Sequence, residues 1–343
     1  MKNILEFTLD ELKQLLIDWE HPKFYGQQIF SWIYKKQSSC FEAMSNLPGN
    51  LRDRLKENFC ILDLKPIEIL NSEDGVKKLL FELNDHHLVE GVLIPAKDRV
   101  TGCISTQVGC KFSCFFCASG LLGFKRNLSV SEILQEALCL KSNSSSKKLT
   151  HLVFMGTGEP LDNYENVLKA IRIINSDWSF NIGARRITIS TCGIIPAINK
   201  LSKEALQIEL SVSLHAADDK TRSRLVPINK RYPLGDLIAA CREYIEKTNR
   251  QITFEYVLIK NINSSIEDAQ KLTKILKGLR LVKINLISAN PVKELNIEPP
   301  NKLEISAFAE YLLKAGVKVT LRKPRGQDIE AACGQLRLHY EKI

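Results

Sequence analysis

No stretch of this chain approaches the roughly eighteen consecutive apolar residues that a membrane-spanning helix requires. The N-terminus also has no basic segment followed by an apolar stretch of signal-peptide length. The expectation is therefore a soluble, cytoplasmic protein with no membrane partner. The sequence also has no internal repeat beyond the structural alternation of strands and helices. Ten cysteines in 343 residues, three of them in one short motif, fit a reducing compartment better than a disulfide scaffold, so any disulfide would be transient and chemical. What is present is ample core material: 44% of the residues are hydrophobic, and the length suits one large domain plus a smaller one, or two.

Charge is unevenly shared. Residues 1–98 carry 12 Lys and Arg against 16 Asp and Glu, a net of −4, whereas residues 99–343 carry 36 against 23, a net of +13. A polyanion is the natural partner of the second segment, with scattered solubilising lysines as the alternative. Arg322, Lys323 and Arg325 form the densest basic group.

The most informative motif is Cys110-x3-Cys114-x2-Cys117, within CKFSCFFC. Ferredoxin clusters use four cysteines and zinc ribbons pair two CxxC motifs, and neither pattern fits here. Three thiolates can hold a 4Fe-4S cluster while leaving its fourth iron without a protein ligand. Such an iron can bind S-adenosylmethionine (SAM) through its amino and carboxylate groups, and an electron passed to the sulfonium yields an adenosyl radical. Structural zinc and buried apolar cysteines are the alternatives.

Organisation along the chain changes near Pro95. Before it, Thr8-x-x-Glu11 reads as a capping box opening a helix with Leu12, Leu15, Leu16 and Trp19. Pro22 suits the first turn of a helix running through Phe30, Ile33 and Tyr34, and Asn46 to Pro48 punctuates before another near Leu51 and Leu55. Short apolar runs follow, with Asp74-Gly75 and Asn84-Asp85 as turns between strands. After Pro95, strands are predicted at about 100–106, 149–155, 185–190, 208–214, 252–259 and 282–288, with a further one at 317–322. Helical stretches include 131–141, 163–175, 236–248, 265–277 and 302–315. This alternation predicts an α/β fold with a parallel sheet, either an incomplete barrel of six β/α units or a doubly wound open sheet.

The remaining motifs fall at the carboxyl ends of the predicted strands, where α/β proteins bind ligands. Gly156-Thr157-Gly158-Glu159-Pro160 departs from the dinucleotide fingerprint. Its glycines permit close backbone approach and its carboxylate can accept from an ammonium group such as that of SAM, a plain strand-to-helix turn being the alternative. Ser190, Ser213, His215 and Asn290 are candidates for ribose or carboxylate contacts, or ordinary strand-end caps. Cys40, Cys60, Cys139, Cys192 and Cys241 read as small apolar residues. Cys333, in DIEAACGQL, has small neighbours and basic residues upstream, which suit a nucleophile. Cys103 lies on the strand leading into the cysteine motif, so its thiol can face the same cavity.

Together these segments resemble the RlmN/Cfr family of radical-SAM RNA methyltransferases over nearly the whole chain. The resemblance rests on CISTQVGCKFSCFFC (Cys103 to Cys117), Gly158-Glu159-Pro160, Ser213-Leu214-His215, DIEAACGQL, and Phe30 to Lys36 with Asn46-Leu47-Pro48. It implies a partial (β/α)6 radical-SAM barrel over 96–343 and a small N-terminal helical/β accessory domain over 1–95, able to bind RNA. It also implies one 4Fe-4S cluster on Cys110, Cys114 and Cys117, and two SAM per turnover. SAM would be bound by Gly158, Glu159, Ser190, Ser213, Leu214, His215 and Asn290. Cys333 would carry the methyl group, Cys103 would resolve a protein–RNA crosslink by forming a transient disulfide with Cys333, and Glu90 would serve as proton acceptor, although Cys103 can also take that proton. The implied partners are 23S rRNA, tRNA and an electron donor such as flavodoxin or ferredoxin, with the protein acting as a monomer. Pro160 and Arg322 to Gly326 look closer to the branch that methylates adenine C2 than to the branch acting at C8. Thr157 and Cys192 depart from the usual residues. Other readings of the same motifs are a radical-SAM activase or peptide-modifying enzyme, which leaves Cys333 idle, and a non-catalytic iron–sulfur RNA-binding protein.

Overall fold

The computed structural model describes residues 1–121, 123–144, 148–289, 297–323 and 325–329. The chain opens with β1 (Lys2–Asn3), then α1 (Leu9–Asp18), α2 (Tyr25–Phe30) and α3 (Gly49–Asn58), and β2 (Phe59–Cys60) pairs with β1 in parallel. Thr8 and Glu11 form the expected capping box, each side chain accepting from the other's backbone N–H. Pro22 does not start α2. Its carbonyl accepts from Tyr25 N at 3.1 Å in a turn, so the helix begins three residues later than expected and continues into a wider turn at Ser31–Lys35. Trp32 Nε1 donates to Asn46 Oδ1 at 2.5 Å, which joins the two accessory motifs across the loop between them.

One ten-stranded sheet dominates the molecule. Its antiparallel edge comprises β3 (Pro66–Asn71), β4 (Lys77–Glu82) and β5 (Leu88–Pro95), with the expected turns at Asp74-Gly75 and Asn84-Asp85. Strand β5 pairs antiparallel with β6 (Val100–Ile104), the first of seven parallel strands. After β6 come the short β7 (Gln107–Val108) and β8 (Arg126–Asn127), then α4 (Val130–Ser142), β9 (His151–Phe154), α5 (Tyr164–Asn175), β10 (Ile187–Thr191) and α6 (Ile195–Leu201). Then follow β11 (Glu209–Ser213), α7 (Asp219–Leu225), α8 (Leu234–Thr248), β12 (Ile252–Leu258), α9 (Ile266–Leu276), β13 (Val282–Ser288), α10 (Lys302–Lys314) and β14 (Lys318–Arg322). The parallel strands lie side by side in chain order, β6-β9-β10-β11-β12-β13-β14. A doubly wound sheet reverses its order at a switch point, whereas unidirectional winding gives a partial barrel. The α/β architecture and parallel strands are as expected.

Alternation along each strand separates two faces. Ile187, Ile189, Leu210, Val212, Ile252, Phe254, Ile284 and Leu286 are buried with the helices in one continuous core. Their neighbours Thr188, Ser190, Ser211, Ser213, Thr253, Glu255, Lys283 and Asn285 turn to the inner face, which is polar. The accessory helices dock on the outer layer: Glu6 accepts from Ser131 N at 2.9 Å at the start of α4, Gln37 Nε2 donates to Ser142 Oγ at 2.7 Å, and Lys169 of α5 meets Glu11 at 2.7 Å. No helix among the described residues is long and apolar enough to cross a membrane.

Candidate active site

The loop from Cys110 to Cys117 is a hairpin insertion between β7 and β8, immediately after the carboxyl end of β6. Its neck is closed by the β7–β8 pairing and by Lys125 N donating to the Val108 carbonyl at 2.9 Å. Gly109 has φ +76°, and a Cβ there would lie 1.7 Å from the Gly123 carbonyl oxygen, so no other residue fits this neck. Gln107 braces the loop from below, accepting from Glu159 N at 2.9 Å and donating to Asn127 and Asp162, each at 2.8 Å.

The three thiols feel one another. Burial pushes Cys110 up to about 12, with Cys117 and Glu159 adding to the rise, and burial together with Cys117 and Cys110 holds Cys114 well above the usual thiol range. Among the described residues no three His, Cys, Asp or Glu side chains are grouped to hold a single metal ion. Three partly buried free thiols on one loop supply the donor set of a three-cysteine iron–sulfur cluster, and binding would deprotonate them.

Beside them Glu159 is buried, accepting from Cys192 N at 2.7 Å and Leu161 N at 3.0 Å, with burial raising its pKa. A Cβ on Gly158, where φ is +105°, would stand 2.5 Å from Gln107 Cβ, and one on Gly156 would stand 2.7 Å from the Ile104 carbonyl. The close approach these glycines allow is thus to the strand beneath them. Ser190, the penultimate residue of β10, and Ser213, the last of β11, lie on the inner face and are half-buried. The Leu214 side chain is packed in the core, while its N–H donates to the Glu255 carbonyl at 3.0 Å. His215 has φ +58° and stacks edge-on to Phe116 with centroids 4.5 Å apart. Its Nδ1 accepts from Val257 N at 3.0 Å, which leaves the ring proton on Nε2, and burial with nearby Arg222 lowers its pKa to about 3.

Cys103 on β6 pairs with Val92 of β5, two residues beyond Glu90, so all three share the inner face. Glu90 is 3% exposed and Lys78 0%, and Lys78 Nζ lies 3.2 Å from Glu90 Oε2. Ser105 knits this corner together, donating from Oγ to the Glu90 carbonyl at 2.8 Å and from N to Glu136 at 2.9 Å. Burial holds Glu136 well above the usual carboxyl range. Asn290 and Cys333 lie outside the described residues, but the approach to Cys333 does not. Ile329 packs against the cluster of Val76, Val92 and Cys103, as Val153 and Met155 also do, while Asp328 accepts from Ser72 Oγ at 2.5 Å and Glu73 N at 3.1 Å. Arg325, one of the three residues of the basic group, pairs with Asp74 at 2.8 Å. Cys139, Cys192 and Cys241 are buried, Cys60 is half-buried and Cys40 exposed, and no described cysteine forms a disulfide.

Lys78 and Arg222 escaped the reading of the sequence. Both are charged side chains with no exposure, and their partners, Glu90 for Lys78 and mainly backbone carbonyls for Arg222, are brought to them by the fold.

Comparison with known proteins agrees with this geometry. The family model for the Radical SAM superfamily matches residues 104–273, and the model for the ribosomal RNA large subunit methyltransferase N-terminal domain matches residues 2–61. The chain is 45% identical over 341 residues to a probable dual-specificity RNA methyltransferase RlmN of Clostridium novyi, covering 99% of each chain. It is 46% identical over 344 residues to the protein of that description in Dictyoglomus turgidum, covering 100% of this chain and 98% of the relative. The crystal structure of a radical SAM methyltransferase from Sphaerobacter thermophilus superposes with a TM-score of 0.92 at 41% identity, covering 98% of this chain and 99% of that one. A cysteine loop at the mouth of a partial barrel, an accessory domain of matching type and full-length similarity at this level agree: the chain belongs to the RlmN family of radical-SAM RNA methyltransferases.

Proposed function

We propose that this enzyme methylates adenine C2 in the peptidyl transferase region of 23S rRNA and in tRNA at the adenosine next to the anticodon, through an S-methylated Cys333 and a transient protein–RNA crosslink. The observation that carries this reading is the packing of Ile329 with Cys103 and Val92 on the inner face. Cys333 follows Ile329 by four residues, which span at most about 14 Å when extended. Its thiol therefore has reach to the space beside Cys103 and Glu90.

The family implies a 4Fe-4S cluster and SAM. Cys110, Cys114 and Cys117 would hold the cluster, and an electron-donor protein such as flavodoxin or ferredoxin would reduce it. When bound, cluster and SAM supply an adenosyl radical able to take hydrogen from an unactivated methyl group. Glu159, held in place by the N–H groups of Cys192 and Leu161, would accept from the SAM ammonium. The neutral His215, with Nε2–H free of the Val257 bond, is suited to donate to a SAM oxygen, and Gly158, Ser190, Ser213, Leu214 and Asn290 would complete the SAM site. The Cys333 thiolate would attack the methyl carbon of one SAM, forming the S-methyl thioether as S-adenosylhomocysteine leaves. With a second SAM bound, the S-methyl group would give up a hydrogen atom and the resulting methylene would bond to C2, the unpaired electron left on the ring returning to the cluster. This route answers the chemistry of the target, because C2 is not nucleophilic enough for direct transfer. Glu90 or Cys103 removes the ring proton, and the Cys103 thiolate attacks the thioether sulfur. The carbon–sulfur bond breaks, the released carbon takes up a proton to become the methyl group, and a Cys103–Cys333 disulfide forms, to be reduced afterwards. A ring carbon inside a stack is out of reach, so the target base is extruded.

The test is anaerobic incubation of reconstituted protein with SAM, reductant and protein-free 23S rRNA or tRNA, followed by nucleoside mass spectrometry. The expected product is 2-methyladenosine, abolished by Cys333→Ala. Its absence with an intact cluster would overturn the reading, and 8-methyladenosine would move the target to C8. Activity of Cys333→Ala on a protein substrate would point to a peptide-modifying enzyme.

A further inference from the structure

Arg222 on α7 is the largest fully buried side chain among the described residues. Its hydrogen bonds all go to neutral acceptors: Nε to the Leu214 carbonyl at 3.2 Å, one terminal nitrogen to Asn229 Oδ1 at 2.8 Å, the other to the Cys192 and Ser213 carbonyls at 2.9 and 3.0 Å. Among the described residues no carboxylate forms an ion pair with it. Asp219 is linked through the Asn229 amide, which donates to Asp219 Oδ1 at 2.8 Å. A guanidinium stays charged at any physiological pH, and a buried charge without a counter-charge is costly, so an anion is expected beside it.

The loop that carries the three thiols is tied to the same helix. Phe115, between Cys114 and Cys117, donates its N–H to the Leu225 carbonyl at the end of α7, at 2.9 Å. Leu225, Cys192 and Cys114 belong to one apolar cluster. Arg222 sits one turn before Leu225 and holds the Cys192 carbonyl, so its charge is built into the wall of the cysteine loop. Three thiolates around a 4Fe-4S core carry net negative charge, and reduction by a one-electron protein donor adds to it. Positive potential at that point favours both ligation and electron uptake, since cluster potentials depend on local charge.

We propose that Arg222 is the fixed counter-cation of the three-thiolate site, a positioning residue that raises cluster affinity and reduction potential without touching substrate. The proposal rests on the reading that Cys110, Cys114 and Cys117 hold the cluster. The test compares full-length Arg222→Lys, Arg222→Gln and Asn229→Asp with the parent after reconstitution, by iron and sulfide content and by EPR-monitored redox titration. Arg222→Gln removes the charge, whereas Asn229→Asp leaves the guanidinium in place and sets a carboxylate against it. Both are expected to shift the potential to more negative values, and Arg222→Gln to lose iron several-fold faster to a chelator, with Arg222→Lys close to the parent. Parent-like potentials in Arg222→Gln and Asn229→Asp would overturn the proposal. So would equal cluster loss in the Lys and Gln variants at unchanged potential, because that is the signature of a purely structural tie. If Arg222→Gln does not fold, the potential of Asn229→Asp decides. A parent protein that assembles no cluster at all would instead overturn the underlying ligand assignment.

Discussion

Arg325 Nε lies 2.8 Å from Asp74 Oδ2, so the last described stretch of the chain is clasped to the turn between β3 and β4. Arg325 also donates to the Asp74 and Pro95 carbonyls at 3.1 and 2.8 Å, and Gly326 N donates to Asp74 Oδ2 at 3.2 Å. Both charged groups are partly exposed, so the pair itself contributes at most about 1 kcal/mol to stability. Its consequence is positional. Asp74→Ala is expected to leave the fold intact but lower methyl transfer to RNA on the order of tenfold, since misplacement of about 1 Å is enough for such a loss. SAM cleavage should persist, so the ratio of 5′-deoxyadenosine to methylated nucleoside would rise. An unchanged ratio would show that the clasp does not guide Cys333.

Lys78 and Glu90 form a buried ion pair at 3.2 Å across β4 and β5. Lys78→Met leaves a carboxylate in the interior without that counter-charge, and the expected cost is about 3–5 kcal/mol. Combining it with Glu90→Gln should recover most of this loss, because neither charge then remains. Urea denaturation of the two single variants and the double variant checks the coupling, and strictly additive losses would mean that the two side chains act independently.

Gly156 follows β9 where its missing side chain faces backbone: a Cβ would meet the Ile104 carbonyl carbon and oxygen at 2.7 Å and Ser105 N at 2.8 Å. Backbone cannot swing aside as a side chain can. Gly156→Ala is therefore expected to push the β9 end off β6, costing about 1–3 kcal/mol. The adjacent Thr157 N to Ser105 Oγ bond of 3.0 Å would be lost with it. A thermal midpoint equal to the parent's would show that the two strand ends shift freely.

The parallel strands and the placing of functional residues at their carboxyl ends are legible in the sequence, because period-two alternation such as Ile187-Thr188-Ile189-Ser190 marks both a strand and its two faces. The accessory helix at Leu9–Asp18 is legible from its capping box. The joining of β3, β4 and β5 to the parallel sheet is not, because apolar runs do not say which edge they extend. Lys78 reads as a surface residue, and only the pairing of β4 with β5 brings Glu90 to it. Arg222 is held by carbonyls of residues 192, 213 and 214, and backbone acceptors leave no mark in a sequence. Gly158 can be read as room for a ligand, whereas the atom beside its missing Cβ is Gln107 Cβ.

His215 makes stability pH-dependent in a defined direction. Its pKa is near 6.5 when unfolded and about 3 in the folded protein, where burial and Arg222 keep it neutral. Between those values the unfolded chain binds a proton that the folded protein does not, so this contribution is fully present above about pH 6.5 and lost as pH falls toward 3. The slope approaches about 1.4 kcal/mol per pH unit. His215→Asn removes the titration while tolerating the left-handed backbone, and Asn Oδ1 stands where Nδ1 accepts from Val257. Other buried groups, including Glu159 and Glu255, whose pKa values burial raises, titrate alike in both proteins. Urea midpoints of the cluster-free proteins between about pH 7 and pH 5 should therefore fall more steeply for the parent than for His215→Asn. Superimposable profiles would mean that the imidazole is protonated in the folded state and that Nδ1 does not accept from Val257.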